Sequence, residues 1–368
     1  MKKIYHYAKL LNNNFWCRIA QSTLIEERSL GIFRWIFGFF LLLFFVPQFS
    51  WISQVPDAFF NPLYLTPTNL LAQFPGYIFF AIITLLTITS IVFLTIGIKA
   101  RLFNIVLLIC WFIGNNFQYS FGKIDHDIMV LALLLCMIFS NWGTYYALLP
   151  DKPLGDNYSK KALALFSVLL AFGFITAGLA KAIIWVDFDF STNGFLSWFY
   201  RGYYDVNRSD LLAPIILYLP KWIFEFFDYA AVVFELSAFI ALLSSRRWWL
   251  VWLLIACLFH LSNTLLLNIP FMNYFLVYLV FVDFSLLLDG INRKVRLSTA
   301  KHLNYFLTGL VLCLSLPYFL GIISGQTINF FPNTITRLYA SIFIWIFGAI
   351  IILSNLLTVK NKSAIGII

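Results

Sequence analysis

Long runs of apolar residues, separated by short polar segments, dominate the sequence. Most runs approach the roughly 17–25 residues that a helix needs to cross a bilayer. The alternating ten-residue pattern of a membrane barrel is not seen. The pattern predicts an all-α, polytopic transmembrane helical bundle of about ten helices. The predicted helices are Leu30–Val46, Gly76–Ile96, Leu102–Phe117, Asp127–Tyr146, Ala162–Trp185, Trp222–Leu243, Trp248–Leu267, Pro270–Leu288, Leu303–Ile322 and Arg337–Leu357.

Two segments outside the predicted spans have a composition that indicates contact with the membrane surface. Residues 1–28 form a basic, partly amphipathic lead-in, which we expect at the cytoplasmic membrane surface through Phe15, Trp16 and Ile19. Asn193–Tyr204 is rich in aromatic residues and is interpreted as an interfacial helix, an aromatic lid that presents Phe195, Trp198, Phe199 and Tyr203. The chain then divides into the lead-in, a transmembrane core over 29–290 and two further helices with a tail over 291–368.

Composition supports the membrane interpretation. The chain of 368 residues is 61% hydrophobic and only 11% charged, whereas soluble domains carry about 25% charged residues. A net charge of +9 could indicate a nucleic-acid partner, but the placement of the charges fits a membrane orientation better. With ten helices and both termini in the cytoplasm, 18 of the 25 basic residues lie inside, five lie outside and two lie within spans. We therefore expect lipid and not nucleic acid as a partner. An inner bacterial membrane is the expected location.

The five cysteines show no CxxC or metal-ligand spacing. Four of them lie within apolar runs, where cysteine usually acts as a small hydrophobic residue. No metal site is expected.

Lys181 is the first candidate for chemistry, because it lies at the end of the apolar run F-G-F-I-T-A-G-L-A-K-A-I-I-W. A charged side chain at bilayer depth normally faces protein or a water-filled cavity. Its side chain leans back over Ala177 and Gly178, small residues that let a neighbouring helix approach closely. One interpretation is a desolvated lysine that acts as a base. The other is a helix-end lysine that extends to the lipid headgroups.

The predicted topology places several other polar residues near the depth of Lys181. His126, His260 and Glu225 all fall toward the outer end of their helices, and Asn263 shares a helix face with His260. Such a group predicts a cavity under the aromatic lid. Each residue also has a structural interpretation: His126 as a helix cap, and His260 with Asn263 as hydrogen-bond donors between helices. Glu235 is expected to pair with Arg34, since charges inside membranes usually find partners.

Four motifs resemble those of HTTM-domain proteins, whose best-known members are the vitamin K-dependent gamma-glutamyl carboxylases. S-L-G-I-F-R-W-I-F-G at Ser29–Gly38 is similar to their opening helix, and D-H-D at Asp125–Asp127 lies where the family has a functional histidine. F-I-T-A-G-L-A-K-A-I-I-W resembles the A-G-x-x-K segment, and L-F-H-L-S-N at Leu258–Asn263 resembles the F-H-x-x-N helix. The family's acidic residue after the lysine is replaced by Ala182-Ile183-Ile184, and its large extramembrane domain is absent.

The resemblance implies an enzyme of the lyase and oxygenase type. In the carboxylases a lysine deprotonates a reduced naphthoquinone, oxygen converts it through a strong base to an epoxide, and carbon dioxide adds to a peptide glutamate. By this match Lys181 is the quinol base, and His126 and His260 support it. Asp125, Trp185, Trp198, Glu225 and Asn263 are expected to contact a menaquinol or vitamin K-type quinol. A secreted peptide would be the second substrate. The alternative is a non-catalytic membrane protein for peptide or toxin maturation, export or immunity.

Overall fold

The computed structural model describes residues 2–121, 127–155, 157–187, 189, 193–289 and 297–364. These residues form helices joined by turns and short 3-10 segments, with no strand among them. The α-helices are α1 Lys2–Ser22, α2 Glu27–Phe44, α3 Tyr77–Ile96, α4 Ala100–Gln118, α5 Ile128–Met137, α6 Tyr158–Trp185, α7 Gly194–Tyr200, α8 Lys221–Leu236, α9 Ala238–Ser244, α10 Arg246–Leu267, α11 Tyr274–Leu279, α12 Phe284–Asp289, α13 Leu297–Ser324 and α14 Thr334–Ala364.

The helices form two compact units, and each unit is made of separate stretches of the chain. The first unit contains Met1–Leu24, Leu163–Val282 and Phe331–Ile368. The second contains Ile25–Ala162 and Asp283–Phe330. The all-helical prediction is confirmed.

In the second unit, α3 packs against α4, α2 and α13. Asp283 ties the two stretches of this unit together, because its carboxylate accepts hydrogen bonds from the Ser29 hydroxyl at 2.6 Å and from the Glu26 N–H at 3.2 Å. Gly97 ends α3 in the left-handed conformation, with φ of +75°. A Cβ atom there would come within 2.4 Å of the Ala147 Cβ, so the close approach of these two segments requires glycine.

In the first unit, α10 packs along α14, and α1 packs against α9 and α10. Arg246 stands at the turn between α9 and α10, and its guanidinium donates to the carbonyls of Ser22 and Phe281. Deeper in this unit, Thr264 and Ser341 share a hydrogen bond of 3.0 Å between α10 and α14. These polar contacts fix helices that otherwise meet through apolar side chains.

Six described helices are long and apolar enough to cross a membrane, and a seventh span results if the bent pair α8 and α9 crosses as one. Their length and composition indicate an integral membrane protein. Together, the six helices and the pair α8 and α9 correspond to seven of the ten predicted spans. The bounds of the six are Tyr77–Ile96, Ala100–Phe121, Tyr158–Trp185, Arg246–Leu267, His302–Ser324 and Thr334–Val359.

The other three predicted spans carry more charge, are short, or are broken. Helix α2 has 18 residues and three charges, and α5 has only 10 residues. The chain predicted as one helix over Pro270–Leu288 is divided between α11 and α12. Asp283 lies at this break, and its side chain accepts from Ser285 in the next helix. A short acidic side chain that binds the following residues favours a turn over a continuous helix.

Candidate functional site

Lys181 lies on α6 and contacts α8. Its ammonium pairs with the Glu235 carboxylate through Oε1. The Lys181 side chain is 27% exposed and that of Glu235 only 4%, so the pair has one accessible and one buried end. The expected close approach is confirmed at Gly178, where an added Cβ would lie 3.0 Å from the Glu235 Cβ. The small residue therefore brings the carboxylate within reach of the lysine.

The expected pairing of Glu235 with Arg34 is wrong. The fully buried Arg34 guanidinium instead donates to four backbone carbonyls, those of Thr95, Trp142, Tyr145 and Tyr146, at 2.7–3.2 Å. These oxygens belong to the end of α3 and to the turns after α5. Carbonyls at the ends of helices lack partners within the helix and carry partial negative charge. They can thus stabilise a buried guanidinium without a direct salt bridge to a carboxylate.

Trp185, at the end of α6, connects Lys181 with α7. The Lys181 Nζ lies 5.5 Å from the centre of the Trp185 ring, within the range of a cation–π interaction. The other side of the contact is Gly194, where a Cβ would come within 2.2 Å of the Trp185 ring. The indole therefore packs directly against the backbone at the start of α7.

Two carboxylates of α8 hold this start of α7. The buried Asp228 accepts hydrogen bonds from the N–H groups of Gly194 at 2.8 Å and Phe195 at 2.7 Å. One turn earlier, the buried Glu225 accepts from the Asn193 side chain at 2.9 Å. Sequence reasoning placed Glu225 and Asp228 together near the outer end of this helix but chose only Glu225 as a ligand contact. Their spacing of three residues places both on one face of α8, which was the signal available in the sequence.

The predicted aromatic lid is a helix followed by a π-helical turn over Arg201–Asp205. Its aromatic residues do not all face outward as one surface. Phe199 is buried, and Phe195 and Tyr203 pack beside it against Ala213, Ile216 and Phe224. Trp198 is exposed. The side chains four residues apart thus attach the segment to its own unit, and only Trp198 among the four named aromatics is left for a ligand or for lipid.

His260 is buried within α10 among aromatic rings. Its Nε2 shares a hydrogen bond of 2.7 Å with the Tyr278 hydroxyl, and its ring stacks on Trp345 at 4.7 Å between centres. Asn263, predicted to act beside it, is only half-buried. The side chain that hydrogen-bonds back to this turn is Thr264, whose hydroxyl donates to the His260 carbonyl at 2.9 Å. Tyr278 and Trp345 were missed because they come from distant parts of the chain.

Aromatic side chains lie between the surroundings of Lys181 and those of His260. Phe234, next to Glu235, stacks on Trp252 with ring centres 5.1 Å apart. Phe174, two turns before Lys181, meets Trp252 edge-to-face at 4.8 Å and lies 6.5 Å from Tyr278. Asp125 and His126 lie outside the described residues. The structure thus gives Lys181 and His260 separate direct partners, joined by a shared aromatic core.

No group of three or more histidine, cysteine or acidic side chains suited to a metal ion occurs in the part of the chain that the structure describes. The five cysteines are free thiols.

Comparisons of the chain with models of protein families, with characterised proteins and with solved structures find no match. The resemblance to the HTTM-domain carboxylases therefore rests on the motifs around Arg34, His126, Lys181 and His260 alone.

Proposed function

We propose that the protein is an integral membrane enzyme that binds a menaquinol or vitamin K-type quinol and moves its hydroxyl proton through Lys181 and Glu235. One observation carries the proposal: a lysine at the end of an apolar helix contacts a buried carboxylate and an aromatic ring at the same place. Perturbed titratable groups beside aromatic surfaces are typical of ligand sites. The resemblance of the lysine motif to that of the carboxylases supports the same class of ligand.

The side chains around Lys181 suit a flat aromatic ligand that carries a hydroxyl group. Trp185 lies against the ammonium, and the exposed Trp198 is on α7 nearby in the sequence. Glu235 Oε2 is buried and accepts no hydrogen bond from any described residue. A buried acceptor without a donor is costly, so a hydroxyl or a water at this point would stabilise the site.

In this proposal Lys181 is the base. Phenols and alkylamines both have ordinary pKa values of about 10, so transfer of a proton from a quinol hydroxyl to a neutral amine is nearly balanced. The proposed cycle starts with the proton of the pair on Glu235, so that the Lys181 amine can accept the quinol proton. The ammonium formed by the transfer then stabilises the negative oxygen beside it. By the resemblance, oxidation of a bound quinol by molecular oxygen would supply the strong base that removes a proton from a glutamate of a secreted peptide, to which carbon dioxide adds, or that drives another modification of the peptide.

The proposal also includes the number of membrane spans, their orientation and the position of the lid. Ten spans in a bacterial inner membrane, with both termini in the cytoplasm, would place the Lys181 end of α6 at the outer face. The 18-to-5 distribution of basic residues supports this orientation. Asn193–Tyr204 would then cover the site as an interfacial lid. Its 12 residues reach about 18 Å as a helix, well short of the roughly 30 Å hydrocarbon core.

A second function is a non-catalytic one, in peptide or toxin maturation, export or immunity. The same ion pair favours it, because a lysine neutralised by Glu235 can simply join α6 to α8. Mass spectrometry of small molecules that copurify with the protein separates the two functions. A bound quinone supports the enzyme, and its absence from protein purified out of quinone-rich membranes supports the non-catalytic role.

The substitution Lys181→Arg tests the enzyme directly. Arginine retains the pairing with Glu235 but stays protonated, so we expect normal thermal stability, retained quinone binding and loss of quinol turnover of at least a hundredfold. Lys221→Arg, at an exposed position on α8, is the matched control and should leave turnover unchanged. Full turnover by Lys181→Arg would show that Lys181 is not the base.

Lys181→Ala needs a different control, because it leaves the buried Glu235 carboxylate alone. Breaking such a pair costs about 3–5 kcal/mol, so loss of folding would not reveal a role in catalysis. The double variant Lys181→Met with Glu235→Gln removes both charges and should restore thermal stability without restoring turnover. Turnover by this double variant would contradict the proposed role of the pair.

A further inference from the structure

Helix α1 carries an apolar stripe and only basic charges. Positions 11, 15 and 19 are Leu, Phe and Ile, a spacing that places them on one helix face. Lysines occupy positions 2, 3 and 9, Arg18 follows, and no acidic residue occurs between Lys2 and Ser22. A helix of this composition is typical of a membrane surface.

The C-terminal end of the stripe is covered by protein. Ile19 is fully buried, where α1 packs against α9 and α10. Arg246 donates to the Ser22 carbonyl at 3.3 Å, which fixes this end of α1 at the turn that begins α10. The sequence-based expectation that Ile19 lies at the membrane surface is therefore wrong.

The same stripe is uncovered two to three turns earlier. Leu11 is 70% exposed, and Phe15, which lies between Leu11 and Ile19 along the helix, is half-buried. Trp16, at the border of the stripe, is 36% exposed, and the basic Lys9 and Arg18 are both exposed. One continuous apolar face thus passes from the protein interior to the outside, and basic side chains flank its open part.

We propose that the open part of α1 lies on an anionic lipid bilayer. Leu11 and Trp16 enter the boundary between headgroups and acyl chains, and Lys9 and Arg18 bind lipid phosphates. Two features select lipid over a protein partner. The charge is of one sign, opposite to that of phosphatidylglycerol headgroups, and tryptophan at the border of an apolar face is typical of the membrane interface. The inference is independent of the quinol proposal.

A polarity-sensitive fluorophore on α1 tests this in the full-length protein. The protein with Cys17→Ser and Cys313→Ser, which removes both exposed thiols, receives Leu11→Cys and a nitrobenzoxadiazole label. It is placed in nanodiscs of phosphatidylcholine alone or with 30% phosphatidylglycerol. Asn13→Cys, on the opposite face of the same exposed turn, is the matched control. Doxyl-labelled lipid reports depth by quenching.

We expect blue-shifted emission and lipid quenching at position 11 in the anionic discs, and neither at position 13. Lys9→Gln with Arg18→Gln should lower the ratio of inserted to free helix about fivefold per charge removed, and high salt should do the same. Water-like emission at position 11 in anionic discs would overturn the proposal. So would blue-shifted emission without lipid quenching, which would show that protein, such as a second copy of the chain, covers the stripe.

Discussion

At the scale of single residues, Arg34 and Lys181 show two ways of neutralising a cation within apolar helices. Arg34 uses the partial charges of four carbonyl oxygens, and Lys181 uses the full charge of Glu235. The planar guanidinium presents five donors in a fixed geometry, which matches several carbonyls at once. An ammonium is a point charge and needs only one close acceptor. The two sites are therefore not interchangeable.

Arg34→Lys should consequently destabilise the protein although it keeps the charge. A lysine cannot reach all four carbonyls, and each buried oxygen left without a donor costs about 1–3 kcal/mol. We expect a loss of about 3 kcal/mol, measured as a lower melting temperature in detergent or nanodiscs. Arg28→Lys, at an exposed position on the same helix, should cause no change. Equal melting temperatures for both variants would show that the carbonyl contacts contribute little.

At the scale of elements, α7 is held by its neighbour more than by its own sequence. Its seven residues are too few for a stable isolated helix, and its first two N–H groups are satisfied by Asp228 of α8. Phe195 and Phe199 add apolar contacts on the same side. Because Trp185 packs against Gly194, the position of α7 also fixes the indole beside Lys181.

Asp228→Asn should loosen α7 selectively. The amide presents one acceptor where the carboxylate presents two, and hydrogen bonds to a charged group contribute about 1.5–3 kcal/mol. Amide hydrogen exchange at residues 194–200 should become about 10- to 100-fold faster, while exchange in α10 stays the same. Asp205→Asn, at an exposed position, is the control. Unchanged exchange in α7 would mean that its apolar contacts alone hold it.

At the scale of the whole molecule, the sequence predicted the all-helical class of fold well but predicted poorly where the helices break. Uniform apolar runs such as Tyr77–Ile96 were found, because length and hydropathy are local properties. The break near Asp283 was missed, because the local bond with Ser285 is reinforced by one with Ser29, 254 positions earlier. For the same reason the sequence indicated that Lys181, Glu235 and His260 need partners, but the packing of helices decided which partners they have.

The topology of the whole chain can be tested by cysteine labelling. If ten spans cross the membrane with both termini inside, cysteines introduced at Gly155 and Val206 should react with an impermeant maleimide from opposite sides. Both positions are exposed, so lack of access through burial is not expected. Reaction of both from the same side would show that the predicted span between them, Ala162–Trp185, does not cross the membrane. The Lys181 end of α6 would then not lie at the outer face.

The interleaving of the two units along the chain has a consequence for biosynthesis. The ribosome has produced all of Ile25–Ala162 before it reaches Asp283, the residue that binds the Ser29 hydroxyl. The first unit waits longer still, because α10 acquires its neighbour α14 only with the last stretch of the chain. Early helices must therefore spend the period of translation with polar groups such as the Ser29 hydroxyl lacking their final partners. Nascent chains stalled before Asp283 should accordingly remain bound to the insertion machinery and be open to proteolysis, and release into the lipid phase should follow only when α14 has emerged.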